Sequence, residues 1–196
     1  MNILVLGPQG SGKGTQAKRI TATYGLPHIA TGDMLREMRQ ADSDLGRELS
    51  AVMDRGDLVN DAMMIEIIRE RLSRDDTRDG FVLDGFPRTM PQAEALHELL
   101  HELGRDIDVV FDFQLGDRDV LIERMLKRAE EENRSDDTPE AMAVRLDLYE
   151  KETAPLVEYY RTHQANVAGV HADRPVEEVF EEIRRVLDTL EGRDAA

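Results

Sequence analysis

Residues Gly7-Pro8-Gln9-Gly10-Ser11-Gly12-Lys13-Gly14-Thr15 leave few ways to fold this chain. They follow the apolar run Ile3-Leu4-Val5-Leu6 and lead into a helix-like segment beginning near Lys13. A buried strand, a glycine-rich turn and a helix start are the parts of a phosphate-binding loop. Positions without side chains let successive backbone N–H groups face one anion, the helix N-terminus adds partial positive charge, and Lys13 adds a full one. The generic pattern G-x-x-x-x-G-K-[ST] is missed by one residue: Gly14 stands where Ser or Thr belongs, and the hydroxyl arrives at Thr15. The plain alternative is a tight turn between a core strand and a helix, but lysine among glycines in this context has a known mechanism.

Strands and helices alternate along the rest of the chain. Apolar runs predict strands at Asn2–Leu6, His28–Ala30, Gly80–Asp84, Asp108–Leu115 and Asn166–Val170. Helical spacing predicts helices over Lys13–Tyr24, from about Thr31, and over 44–54, 61–72, 91–103 and 119–128. Thr31 could cap the second of these. A further long helix opens at Thr138-Pro139-Glu140, proline being tolerated in a first turn, and Pro155 should kink or interrupt it before Leu156–Tyr160. Val176–Leu190 is the last helix, and the tail after Gly192 is expected to fray.

This order predicts an α/β fold, a parallel sheet with helices on both faces and ligand binding at the carboxyl ends of the strands. Gly7, Thr31, Asp84 and the stretch after Leu115 would converge there. Asp84, an acid at the end of a central strand beside the loop, could hold the water shell of Mg²⁺ or merely cap its turn. Residues 31–60 read as a helical insertion that could move as a lid, and 130–138 as an exposed polar connection.

Composition narrows the function classes. With 196 residues and no Pro/Gly/Ser-rich linker, one domain with insertions is expected. Cysteine is absent, which removes disulfides, thiolate zinc sites and cysteine nucleophiles together. The first residues lack the pattern of a signal peptide and no apolar run is long enough to cross a bilayer, so a cytoplasmic protein is expected. A formal charge of −16 argues against nonspecific binding to nucleic acid or an anionic membrane, and requires a nucleotide to be captured in a local cationic cleft.

Taken together, the ordered motifs resemble the adenylate kinase family over nearly the whole chain. They are Gly7–Thr15, Thr31-Gly32-Asp33-Met34-Leu35-Arg36, Gly56-Asp57-Leu58-Val59, Asp84-Gly85-Phe86-Pro87-Arg88-Thr89 with Gln92, and Asn133-Arg134-Ser135-Asp136-Asp137 followed by Arg145. The resemblance implies a P-loop three-layer fold with a central parallel five-stranded sheet. The core would comprise 1–30, 61–128 and 139–196, with an AMP-binding insertion at 31–60 and a short lid at 129–138. It implies the reaction MgATP + AMP ⇌ 2 ADP. Gly10, Ser11, Gly12, Lys13, Gly14 and Thr15 would hold the phosphates of ATP, with Arg124 stacked on its adenine and Arg174 also at the ATP site.

By the same resemblance, Arg36 and Arg88 would grip the AMP phosphate while Gln92 reads the adenine. Thr31, Gly85 and the backbone of Asp57, Leu58 and Val59 would complete that pocket, with Arg134 and Arg145 also reaching AMP. Lys13, Arg88, Arg124, Arg128, Arg134 and Arg145 would surround the transferred phosphoryl group, and Asp84 and Asp33 would hold waters of Mg²⁺. No zinc is expected, because the short lid has neither the length nor the cysteines for one, and a monomer is expected because the family's cleft is complete within one chain.

Read without the family, an exposed arginine on helix 119–128 or 139–154 is more often one half of a surface ion pair worth little. The nearest rival activity is a UMP or CMP kinase, which usually lacks the threonine at 31 and the glutamine at 92. A P-loop switch protein would need a guanine-reading Asn/Thr-Lys-x-Asp motif, which none of the four lysines supplies. His171-Ala172 departs from the Asp-Gly that many relatives carry beside the ATP adenine, leaving triphosphate selectivity open. His97 and His101, one helical turn apart, read as an exposed helix face more readily than as a metal site.

Overall fold

A computed structural model describes residues 1–114, 116–163 and 165–192. Leu115, at the end of the fourth expected strand, and the tail after Gly192 lie outside the described residues.

Five parallel strands form one sheet in the order β2-β3-β1-β4-β5: β1 (Asn2–Leu6), β2 (His28–Ala30), β3 (Phe81–Asp84), β4 (Val109–Gln114) and β5 (Val167–His171). β1 is central, in register with β3 (Val5 opposite Asp84) and β4 (Leu6 opposite Asp112). Its residues are buried throughout, which is why the run is continuously apolar instead of alternating. The connection leaving β1 returns to β2 on one side of it in the sheet, whereas the connection leaving its neighbour β3 crosses to β4 on the other side, and at such a reversal open α/β sheets form a crevice.

Helices cover both faces. On one, α1 (Lys13–Tyr24) and α9 (Val176–Leu190) bury Ala17, Ile20, Val179, Ile183 and Leu187 against Ile3, Val5 and Phe111. On the other, α4 (Asp61–Leu72), α5 (Met90–Glu102) and α8 (Leu156–Thr162) pack Ile68, Leu96, Leu100 and Leu156 against Leu4, Leu83 and Val110. α2 (Thr31–Arg39) and α3 (Asp44–Arg55) add Leu35, Leu49 and Met53 to that second core. α6 (Arg118–Glu131) and α7 (Pro139–Leu148) meet through a small cluster of their own, Leu121, Met125, Met142 and Leu146. No helix among the described residues is long and apolar enough to cross a membrane.

The structure departs from the sequence expectation in three places. Thr31 does not cap α2; it is the first helical residue after Ala30, and its hydroxyl donates across to the carbonyl of Asp84 at 3.2 Å. The helix ahead of Pro155 is disturbed before the proline itself. Residues Tyr149–Thr153 form a π-turn in which Ala154 N–H donates to Tyr149 C=O at 2.8 Å, and α8 starts afresh beyond Pro155, which has no N–H to continue the ladder. In the connection 130–138, Glu130–Glu132 are exposed as helix end, whereas Asp136 and Asp137 are buried.

Candidate functional site

The carboxyl ends of β1, β2 and β3 open into one cleft of about 550 Å³, lined from the loop after β1, from α2, from the 57–59 and 84–92 segments, and from α6, α7 and the start of α9. Every residue assigned above to ATP, AMP, the transferred phosphoryl group or Mg²⁺ lines it: Gly10 to Thr15, Thr31, Asp33, Arg36, Asp57 to Val59, Asp84, Gly85, Arg88, Gln92, Arg124, Arg128, Arg134, Arg145 and Arg174; Gly7, also expected to converge there, does not. His28, Gln16, Lys18 and Lys127 share the lining without having been singled out, as do Gln9, Asp136 and Ala172, which were quoted without a role in the site.

The loop at one end is shaped for close approach. Gly10 has φ +84°, and a Cβ there would stand 2.5 Å from the carbonyl oxygen of Leu121, so a side chain would push the loop off α6. A Cβ on Gly14 would lie 3.3 Å from Asp84 Oδ2, a physical reason for glycine where the generic loop has a hydroxyl residue. The Ser11 hydroxyl is buried with no hydrogen-bond partner. Lys13 Nζ donates to Pro8 C=O at 3.3 Å, and burial pushes its ammonium down to about 8, with Asp84 opposing the shift and Arg88, Arg128 and Arg134 adding to it.

Asp84 belongs to the same end. Burial works against its ionisation, but His28 and then Lys13 outweigh that and hold its carboxyl below the usual value. An ionised carboxylate beside a phosphate loop fits the outer sphere of a hydrated Mg²⁺, which keeps several waters and takes few protein oxygens. Asp33 is half exposed and bonded to Arg36 at 3.0 Å and to Arg134 at 3.5 Å. Among the described residues no group of three or more His, Cys, Asp or Glu side chains is arranged to hold a metal ion.

The opposite end is built from the turn after β3. Arg88 Nε donates to Gly85 C=O at 2.8 Å, and its backbone N–H donates to Gln92 Oε1 at 2.8 Å. Gln92 Nε2 donates to Asp61 Oδ1 at 2.7 Å, and Thr89, the N-cap of α5, donates its hydroxyl to the same oxygen at 3.0 Å. Burial lowers Arg88 to about 10, with the charge of Arg145 adding to the shift. Among the described residues neither Lys13 nor Arg88 has a carboxylate within ion-pair distance.

The remaining arginines of the cleft, Arg124 apart, are charge-paired. Asp136 joins Arg36 at 3.2 Å, Arg145 at 2.8 Å and Arg39 at 3.8 Å, while Asp137 joins Arg128 at 2.9 Å and also bonds Arg145. Arg145 Nη2 further donates to Met53 C=O at 3.1 Å, tying α7 to α3. Arg134 pairs with Glu132, and Arg174 with Glu182. Arg124 donates to Ala172 C=O at 3.1 Å, which places it beside the end of β5. The Nε of Arg128 is buried without a partner.

Four residues of this arrangement escaped the sequence reading. Asp136 and Asp137 stand inside a quoted motif, but their burial is a product of α2 and α7 closing on them, which no local pattern announces. Asp61 looks like a first-turn acid of α4 and is one, yet it also holds Gln92 and Thr89 from 31 and 28 residues away. His28 carries no local signal at all.

Comparison with known proteins points the same way. The adenylate kinase family model matches residues 5–165. An adenylate kinase of Cyanothece sp. is 42% identical over 190 residues, covering 97% of this chain and 96% of that protein. One from Maricaulis maris is 44% identical over 188 residues, covering 96% and 99%. A third, from Geobacillus sp., is 41% identical across 218 aligned positions, more than this chain's 196 residues, and is covered along 100% of its own length.

Proposed function

The chain belongs to the adenylate kinase family, in its short-lid form, and from that premise we propose how this cleft divides the work of the reaction ATP + AMP ⇌ 2 ADP. The single observation that carries the proposal is a pair of half-buried cations with no carboxylate within ion-pair distance among the described residues, Lys13 at the loop after β1 and Arg88 at the turn after β3. Each is lowered by burial and by neighbouring cations, which the charge of Asp84 only partly opposes, and a bound anion favours the charged form of both. Two such points in one cleft suit two phosphate-bearing substrates, one on each side.

On the donor side, the backbone of Gly10 to Thr15 and Lys13 take the phosphates of ATP, with Ser11 Oγ given the partner it lacks. Arg124 and Arg174 flank the base near Ala172. Asp84, and Asp33 with whatever oxygen Arg36 and Arg134 leave free, would hold the waters of a Mg²⁺ accompanying ATP, which would supply charge neutralisation of the phosphate oxygens.

On the acceptor side, Arg88 and Arg36 hold the AMP phosphate, and Gln92 presents the amide donor and lone pair left over from Asp61 and Arg88 to the adenine. Thr31, Gly85 and the backbone of Asp57 to Val59 shape the pocket. Arg128, Arg134 and Arg145 converge on the transferred group. An AMP phosphate oxygen is already anionic, so the chemistry requires positioning and fixed cations and no general base.

Residues 31–60 form the acceptor-side insertion and 129–138 the lid, which excludes water that would otherwise accept the phosphoryl group. A monomer is proposed, since one chain supplies every part of the cleft, and a cytoplasmic location with free nucleotides as partners. The test is a coupled assay offering MgATP with AMP, UMP, CMP or GMP. Rapid turnover with AMP alone, falling by about 100-fold or more in kcat/KM for AMP when Arg88→Ala is made, supports the assignment. Undiminished turnover in that variant overturns it, and light scattering during elution tests the monomer.

A further inference from the structure

His28 sits on β2 opposite Val82 of β3, and Ala30 opposite Asp84. Residues two apart on a strand share a face, so the side chains of His28 and Asp84 lie on one side of the sheet as diagonal neighbours. The imidazole Nε2 comes within 3.6 Å of Asp84 Oδ2, and the two side chains are only 15% and 14% exposed. That Nε2 is buried and has no hydrogen-bond partner. It stands just outside bonding distance of the carboxylate at the cleft wall that both residues line. An unpaired buried ring nitrogen is costly and calls for a partner.

We propose that His28 is a positioning residue for Asp84: when nucleotide and Mg²⁺ are bound, its Nε2–H donates to the carboxylate and fixes the rotamer that Asp84 offers to the waters of the metal. The inference rests on the reading of Asp84 as an outer-sphere ligand. Its physical basis is that an outer-shell donor fixes the orientation of a ligating group, and loss of such donors typically weakens metal binding by about 10- to 100-fold. Lys13 faces the same carboxylate from α1 as a flexible charge, so it attracts Asp84 without setting its orientation. The planar imidazole, anchored on a strand, does set it.

The experiment is calorimetric titration of the full chain with ATP, in excess Mg²⁺ and again in EDTA, for wild type, His28→Leu, His28→Gln and Asp84→Asn. The quantity read is the ratio of the two ATP affinities. Asp84→Asn should collapse this ratio; if it does not, the reading of Asp84 fails and this inference falls with it. Given that collapse, His28→Leu should lower the ratio by about tenfold with the EDTA affinity unchanged, and His28→Gln, whose amide keeps a donor, should restore most of it. An unchanged ratio in His28→Leu overturns the role of His28 while leaving that of Asp84 intact. Equal losses in Leu and Gln variants, or a matching loss in EDTA, assign His28 to packing and overturn the proposal. Should His28→Leu fail to fold by thermal melting, His28→Asn, too short to reach Asp84, takes its place with the same expected ratio.

Discussion

The side-chain oxygen of Gln92 accepts a hydrogen bond from the backbone N–H of Arg88 at 2.8 Å, so the residue assigned to the base also holds the residue assigned to the phosphate. Its amide nitrogen is fixed in turn by Asp61 at 2.7 Å. Replacing Gln92 by Leu removes both bonds, leaving the part-buried N–H of Arg88 unpaired and Asp61 with the Thr89 hydroxyl in place of two donors, a loss of about 1–3 kcal/mol. Gln92→Leu should therefore raise the KM for AMP by about tenfold or more while leaving the KM for ATP unchanged. Asp61→Ala should reproduce part of that effect from a position outside the pocket. Steady-state kinetics with each substrate varied in turn decides both.

Gly85 tests the acceptor pocket by shape. It has φ +85°, and a Cβ there would stand 2.6 Å from Thr31 Oγ1 and 3.2 Å from Arg88 Nη2. Gly85→Ala pays about 1–2 kcal/mol for the left-handed backbone and must also displace one of those groups. The expected result is a lower melting temperature together with AMP affinity weakened about tenfold, ATP affinity being retained. A variant that melts early but binds AMP normally would separate Gly85 from the pocket.

The fold was legible because its signals are local. The apolar runs of β1 and β3, the alternation of Val109, Phe111 and Phe113 in β4, the Gly25 stop after α1 and the Thr138-Pro139 start of α7 each announce themselves within a few residues, and the strand–helix alternation then restricts the topology. The cleft was legible through its glycines and cations, which are rare in such spacing. Pairings between distant side chains were not. Asp136 looks like any polar residue of an exposed connection, and only the approach of α2 to α7 turns it into the counter-charge of Arg36 and Arg145. The 3.6 Å between His28 and Asp84 likewise depends on strand register across 56 positions, which neither residue encodes locally.

That buried pairing has a pH signature. Burial alone would raise the Asp136 carboxyl, but Arg36 and Arg145 outweigh it and bring the group down to about 2. A folded value below the unfolded one of about 3.9 stabilises the native state above that pH, by on the order of 2 kcal/mol, and the contribution is lost as pH falls through the folded value. Thermal melts should therefore show a stability decline between about pH 4 and 2 that shrinks in Asp136→Asn. The variant should also be less stable at neutral pH, where Arg36 and Arg145 lose a counter-charge. An acid limb of unchanged steepness would remove Asp136 as its source.

Lys13 makes the opposite titration visible through binding. Burial has pushed its ammonium down to about 8, so at pH 9 the ligand-free protein holds it mostly neutral. A bound triphosphate favours the charged form and raises that value, so binding at pH 9 must take up a proton, approaching one per nucleotide, whereas at pH 7 the lysine is already charged and none is needed. Calorimetry with MgATP in buffers of differing ionisation enthalpy measures the uptake directly. ATP affinity should fall as pH rises above about 8, with a slope approaching tenfold per unit. In Lys13→Arg, whose guanidinium stays charged, both the uptake and the slope should vanish even where affinity is reduced. Binding at pH 9 without proton uptake in the wild type would mean that Lys13 does not meet the phosphates, and the donor side of the cleft would have to be reassigned to the loop backbone alone.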